Sequence, residues 1–263
     1  MVKLTPSLVA VALCVALSGC NPAEQQDPQV IINTNPYPST YHALPNATTL
    51  LKNAIVLTGT GERVDNADVL IKDGKISAVG QQLPAEGAVV IDAKGKWITP
   101  GIIDVHSHLG VYPSPNAESH NDGNEMTNPV TAEVWAEHSV WPQDPGFNRA
   151  REGGITTLQI LPGSANLIGG RGVTLKNIPA TTMQAMKFPQ APYGLKMACG
   201  ENPKRVYGKK GGPSTRMGNI AGFRKAFQEA EHYRQNYRKY QRDLKHWKSR
   251  ISEIKKPEQN TKD

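Results

Sequence analysis

The sequence has little of what builds a membrane-spanning or disulfide-stapled protein. Its 263 residues include 3 Cys and 4 Phe, and aromatics make up only 6%. No apolar run approaches the about twenty residues that a spanning helix needs, which excludes a polytopic membrane protein. With 24 Gly, 20 Pro, 38% hydrophobic and 20% charged residues, the composition is neither disordered nor collagen-like. What is present suits a soluble body of one or two domains with a sizeable core.

The first twenty residues depart from that texture. Lys3 gives a short positive start, Leu8 to Leu17 is an almost unbroken apolar run, and small residues follow, which is the layout of a secretory signal. A buried hydrophobic hairpin is the alternative. The run ends Leu17-Ser18-Gly19-Cys20, which resembles the lipobox of bacterial lipoproteins. That resemblance implies a signal peptide over residues 1–19, lipidation of Cys20 and a lipid anchor in the cell envelope. Asn21 after the Cys favours the periplasmic side of the outer membrane. With Cys14 removed and Cys20 lipidated, only Cys199 remains, so no intrachain disulfide forms even in an oxidising compartment. Residues 20–48, rich in Pro, Asn, Gln and Thr, read as a flexible tether.

From Thr49 short β-branched runs alternate with Gly and Asp: Ala54 to Leu57, Val69 to Lys72, Lys75 to Val79, Val89 to Asp92, Trp97-Ile98. Asp73-Gly74 between the second and third is a two-residue hairpin signal. Residues 49–97 therefore predict a small antiparallel, sandwich-like β domain. After Thr99-Pro100-Gly101, apolar runs at Ile102 to His106, Thr156 to Leu161 and Tyr193 to Ala198 are separated by segments long enough for helices. One short helix fits Asp144 to Arg151, ending at Gly153-Gly154. Buried strands with helical connections predict a parallel α/β arrangement over residues 98–263.

The strongest helix signal comes last. Ile220, Phe223, Phe227, Ala230, Tyr237, Leu244, Trp247, Ile251 and Ile254 recur at spacings of three, four or seven, with charged and Gln residues between them. Residues 196–263 hold 18 Lys and Arg against 7 Asp and Glu, whereas the first 195 hold 12 against 16. A basic region of this kind can serve nucleic acid or anionic lipid. Here the basic residues alternate with acids and Gln, which reads as a solvated helix face and no nucleic-acid partner.

The chemistry centres on His106-Ser107-His108. Alternate residues of a strand point to one face, so the two imidazoles project together with Ser107 turned away. Imidazole nitrogen is a favoured ligand of zinc and similar divalent ions, and two from one strand end make half of a metal site. The pair closes the apolar run Ile102-Ile103-Asp104-Val105 directly.

These residues, Ile98-Thr99-Pro100-Gly101-Ile102-Ile103-Asp104-Val105-His106-Ser107-His108, with Asp73-Gly74-Lys75-Ile76 before them, resemble the amidohydrolase superfamily. Gly153-Gly154-Ile155-Thr156-Thr157, Leu161-Pro162-Gly163-Ser164-Ala165-Asn166 and Gly200-Glu201-Asn202-Pro203-Lys204-Arg205 are similar to its imidazolonepropionase-like branch. The resemblance runs from about Leu50 to about Lys210. It implies a distorted (β/α)8 TIM-type barrel with a small β domain, and a divalent metal, zinc above all, that activates water to hydrolyse amide or other C–N bonds of a small-molecule substrate. His106 and His108 match the first-strand ligands. Glu201 falls just beyond the third barrel strand, where some members place a metal-binding carboxylate and others use a carboxylated Lys on the following strand. A role for Glu201 as a loop acceptor is equally open. Gly169, Gly170 and Arg171 could line the substrate mouth as a loop after a barrel strand, or form a plain tight turn. Cys199 reads as a buried inert thiol.

A full barrel takes roughly 250 residues, and 167 run from Trp97 to Asp263. The later ligands of the family, two His and an eighth-strand Asp, have no matching positions, and no catalytic base is assigned. The expectation is the first part of an incomplete barrel. Three readings stay open: a C–N hydrolase completed by a complementing C-terminal chain or by self-association, an inactive remnant, and a membrane-anchored binding or scaffold lipoprotein.

Overall fold

The computed structural model describes residues 33–254, so the apolar run, the lipobox and Cys20 lie outside the described residues. The chain divides into two units, one spanning Asn33–Gln228 and the other containing residues 229–254 of the described chain.

The first sheet is built from β1 (Thr49–Leu57), β2 (Arg63–Lys72), β3 (Lys75–Gly80), β4 (Val89–Asp92) and β5 (Trp97–Ile98). Its order is β3-β2-β1-β4, with β5 also pairing β1. The hairpin forms where expected, with Lys72 opposite Lys75 and positive φ at both Asp73 and Gly74, as a type I′ turn requires. The expectation of an antiparallel sandwich is corrected here. The strands form one mixed sheet, because β1 is long enough to take β4 in parallel along Thr49–Lys52 and β5 in parallel at Ile55–Val56. A small core of Ala54, Val56, Ala67, Val69 and Ala93 underlies it.

The second sheet has the order β6-β7-β8-β9, from β6 (Ile102–Ser107), β7 (Ile155–Ile160), β8 (Ile168–Lys176) and β9 (Gly194–Met197). β6 and β7 are parallel and joined through α1 (Pro145–Glu152). The Asp144 carboxylate caps α1, accepting from Gly146 N at 2.8 Å, and its other oxygen accepts from Gly110 N at 2.8 Å. The core beneath the sheet gathers Leu158 and Ile160 of β7, Val173 and Leu175 of β8, and Val111, Phe147 and Met186.

Two features differ from the parallel, buried sheet that the sequence predicts. β8 is an additional strand, antiparallel to both β7 and β9. It contains Gly169, Gly170 and Arg171, so these lie in a strand and not in a loop or tight turn. Glycine disguises the strand because it packs nothing and lowers β propensity, yet close approach requires it. Gly170 has φ +110°, and a Cβ there would run into the Val134 carbonyl. Second, β6 pairs only with β7 among the described residues, and as an edge strand it leaves Ile102, Ile103 and Val105 54%, 65% and 68% exposed.

The segment predicted as a free tether is held in part. Ser39 Oγ donates to the Lys187 carbonyl at 2.6 Å, Thr40 N donates to the Gln184 carbonyl at 3.0 Å, and Lys176 Nζ lies 4.8 Å from the Tyr41 ring centre. Lys187, at the end of the short α2 (Met183–Met186), is buried and anchors the same segment through Asn35 Oδ1 and the Tyr37 carbonyl. Its Nζ also pairs with Glu137 Oε2 at 2.8 Å. Hydrogen bonding and the charge pair together make this burial tolerable.

After β9 come α3 (Glu201–Tyr207) and the 39-residue α4 (Arg216–Ile254). Buried Asn219 ties the start of α4 to the end of β9, its Nδ2 donating to the Cys199 and Gly200 carbonyls at 3.0 Å each. Cys199 itself is exposed; it sits in the turn between β9 and α3, not in the strand interior.

Candidate metal centre

β6 ends at Ser107, whose side chain turns into the interior while His106 and His108 lie on the other side of the strand end. Their rings stand edge to face with centres 5.2 Å apart. His108 Nδ1 is 2.8 Å from the Leu161 carbonyl. A carbonyl only accepts, so Nδ1 donates and Nε2 is the lone pair left for a cation, the arrangement in which an outer carbonyl fixes the tautomer of a metal-ligating imidazole. Burial pushes the His108 pKa down, with the nearby Lys196 and His106 charges adding to it against the Leu161 hydrogen bond. The ring is thus kept uncharged, as a ligand must be.

The Leu161 carbonyl opens the loop after β7, and that loop is pinned. Asn124 Nδ2 donates to the Tyr112 hydroxyl, and Asn124 Oδ1 accepts from Ala165 N at 3.1 Å. Asn166 Nδ2 donates to the Glu125 carbonyl and to Thr131 Oγ1, at 2.6 and 2.7 Å. Gly163 sits where any Cβ would collide with the Asn124 amide and the Tyr112 hydroxyl. Tyr112 also stands edge-on to His108, ring centres 5.7 Å apart, and burial raises its phenol pKa.

Lys196 of β9 completes the cluster. Its Nζ lies 3.1 Å from His106 Nε2, and burial holds its pKa below the ordinary lysine range. In the sequence it stands inside the apolar run Tyr193 to Ala198. The available signal is the charge itself, since a lysine in a short apolar run is costly to bury without a use.

Glu201 does not join the pair. It begins α3 with its side chain 75% exposed and pairs with Lys204 at 2.7 Å across one helical turn, where solvent and the cation satisfy it. Among the described residues, no group of three or more His, Cys, Asp or Glu is gathered as a metal site. Of the three residues assigned to a substrate mouth, buried Gly169 packs against the Gly163 carbonyl and the Lys196 stem. Arg171 instead lies over the Trp135 ring, 4.2 Å from its centre. The donor set suits a divalent cation: two imidazoles from one strand end, one with its tautomer fixed and its charge suppressed, beside an amine of lowered pKa.

No protein-family model matches the chain. An amidohydrolase of Hapsidospora irregularis, tasK, is 37% identical over 211 residues, which cover 69% of this chain and 21% of that protein. A D-hydantoinase of Geobacillus stearothermophilus is 48% identical over 62 residues, 24% of this chain and 13% of its own. The solved structure of an amidohydrolase from Thermotoga maritima MSB8 superposes with a TM-score of 0.69 at 40% identity, over 74% of this chain and 50% of that one. These relatives are amidohydrolases. A dihydroorotase of Halalkalibacterium halodurans, 35% identical over 114 residues that cover 43% of this chain and 21% of its own, extends the set. The chain spans about a fifth of the length of the curated amidohydrolase and half of the solved one. The mixed sheets, with few helices, accord with part of the α/β fold of the solved amidohydrolase.

Proposed function

We propose that the end of β6 is the metal-holding end of an amidohydrolase of the imidazolonepropionase-like branch, which hydrolyses C–N bonds of small amide-type substrates with zinc held by His106 and His108. The observation that carries this reading is the hydrogen bond from His108 Nδ1 to the Leu161 carbonyl beside an imidazole that faces Lys196. When bound, the cation supplies an activated water at neutral pH and polarises the amide carbonyl. The chain's own residues prepare that chemistry. Burial keeps His108 neutral, the pinned loop after β7 keeps its lone pair available, and Gly169 lets the backbone of β8 lie close to the loop and to Lys196.

Lys196 lies on β9, within the third apolar run and before Glu201, not on the following strand where the resemblance implies a carboxylated lysine, but its buried amine offers the same chemistry beside His106. Once deprotonated, that amine adds carbon dioxide, forming an N–C bond and releasing a proton to solvent. The product is a carbamate, whose oxygens are ligands where the ammonium was not. The remaining ligands and the base come from outside the described residues. The Leu17-Ser18-Gly19-Cys20 motif supports a mature protein that begins at lipidated Cys20 in the cell envelope, and mass spectrometry of the mature N-terminus tests it.

The test of the reaction is zinc per chain together with hydrolysis of hydantoins, dihydroorotate and N-acyl amino acids, assayed with a polypeptide that supplies the remaining barrel strands. Both zinc and turnover should disappear in His106→Ala and in His108→Ala. Turnover that survives without metal would overturn the reading.

A further inference from the structure

The second unit carries a pattern that the hydrolase reading does not use. Ala230, Tyr237, Leu244 and Ile251 of α4 recur every seven residues. Tyr233, Tyr240, Trp247 and Ile254 follow each of them by three, and are 71%, 57%, 58% and 75% exposed. Four successive heptads thus hold an apolar or aromatic residue at both seam positions. A 3.5-residue period sustained this long belongs to a left-handed coiled coil, not to a helix lying on a globular core. The rings of Tyr233 and Tyr237 are stacked with centres 6.3 Å apart, and Tyr240 continues the ribbon at 6.4 Å.

The flanking charges select the occupant. In this register Glu229, Asn236 and Asp243 precede the seam, and Arg234, Gln241 and Lys248 follow it. In a parallel, in-register pair, each preceding position meets the following position of the next heptad on the other helix. Glu229 then meets Arg234 of the second copy, Asn236 meets Gln241, and Asp243 meets Lys248, with both charged pairs opposite in sign and each made twice. An antiparallel pair over the same heptads sets Arg234 against Lys248, which is repulsive. Within one helix Arg234 pairs with Glu231, and Lys239 lies 3.6 Å from Asp243. Both are exposed pairs of small worth, compatible with additional partners. Tyr233, Tyr240 and Trp247 keep more than half of their surface to bury against a second helix.

We infer that α4 from Ala230 to Ile254 is a parallel coiled-coil seam whose occupant is the same helix of a second copy of this chain. This goes beyond the hydrolase reading and stands independently of it.

The test uses the full chain with Cys14, Cys20 and Cys199 replaced by Ser, studied by light scattering and sedimentation across a concentration range. A dimer is expected. Leu244→Glu places a charge in the seam of both helices and should raise the dimer dissociation constant on the order of a hundredfold or more. Asp243→Lys should weaken the dimer, and Asp243→Lys combined with Lys248→Asp should restore it, a reciprocal effect that loss of folding does not produce. Tyr240→Cys should give a disulfide-linked dimer on mild oxidation, since position 240 meets its own copy in the parallel pair. Tyr233→Cys should link as well, which the antiparallel pair that sets Arg234 against Lys248 forbids by placing residue 233 near the far end of the other helix. A monomer at every concentration overturns the proposal. So does a dimer indifferent to Leu244→Glu, or one that Tyr233→Cys does not link.

Discussion

Replacing Lys187 with Met removes the cation from a pair whose side chains are 4% and 0% exposed, with Nζ 2.8 Å from Glu137 Oε2. The stranded carboxylate keeps only the Tyr193 hydroxyl, which donates across the two oxygens at 3.0 and 2.9 Å. Burial and the Glu137 hydrogen bond hold that phenol's pKa far above the tyrosine range, so it stays a neutral donor and supplies no compensating charge. Breaking a buried pair from one side costs about 3–5 kcal/mol, and at about 2–4 °C per kcal/mol the melting midpoint should fall by roughly 6–20 °C. The Lys187→Met, Glu137→Gln double variant removes the orphaned charge and should recover more than half of the loss. Urea unfolding can be followed by Trp135 fluorescence, since that ring packs edge-on to Tyr193 with centres 4.6 Å apart. A single variant within about 1 kcal/mol of the parent would refute the reasoning, because exposed pairs behave that way and buried ones do not. A double variant no better than the single would refute it equally.

Three further outcomes follow from the same structure. Gly163→Ala forces the Asn124 amide and the Tyr112 hydroxyl apart, and although it touches no imidazole it should weaken zinc binding about 10–100-fold by moving the carbonyl that orients His108; unchanged affinity in calorimetry would separate the loop from the metal centre. His108 has a folded pKa below its ordinary 6.5, so the unfolded chain binds its proton first and stability should fall as pH drops through about 6.5 toward the lower folded value. The parent should therefore lose more stability than His108→Gln over that window, and equal slopes would show that the imidazole is not kept neutral by burial. Gly170→Ala places a methyl against the Val134 carbonyl at a positive φ and should cost about 1–3 kcal/mol, read as a lowered urea midpoint.

What the sequence revealed and what it hid divide along physical lines. The strand-end His pair with Ser107 turned inward, the Asp73-Gly74 hairpin and the Asp144-capped helix were legible because each depends on short-range periodicity or turn chemistry. β8 was hidden because its glycines answer contacts with other segments, Gly170 with the Val134 carbonyl and Gly172 with Leu161 and the Ile160 carbonyl. Lys196 was hidden inside an apolar run, since a strand tolerates one polar position when an imidazole from another strand meets it. The hold on Ser39, Thr40 and Tyr41 was invisible for the same reason: Lys187 and Gln184 are about 150 residues away in sequence, and composition alone gave that segment the look of a linker. Glu201 stayed open between ligand and loop acceptor because position along the chain says nothing of which way its carboxylate turns, here to Lys204 one turn later.

The central claim is that His106 and His108, with Lys196 beside them, hold a divalent cation, and cobalt(II) titration followed by visible absorption tests it most directly. One ion per chain with imidazole ligation is expected, with a signal lost in His106→Ala and His108→Ala and altered by bicarbonate in the parent but not in Lys196→Met. A cobalt spectrum unchanged when both imidazoles are removed would contradict it.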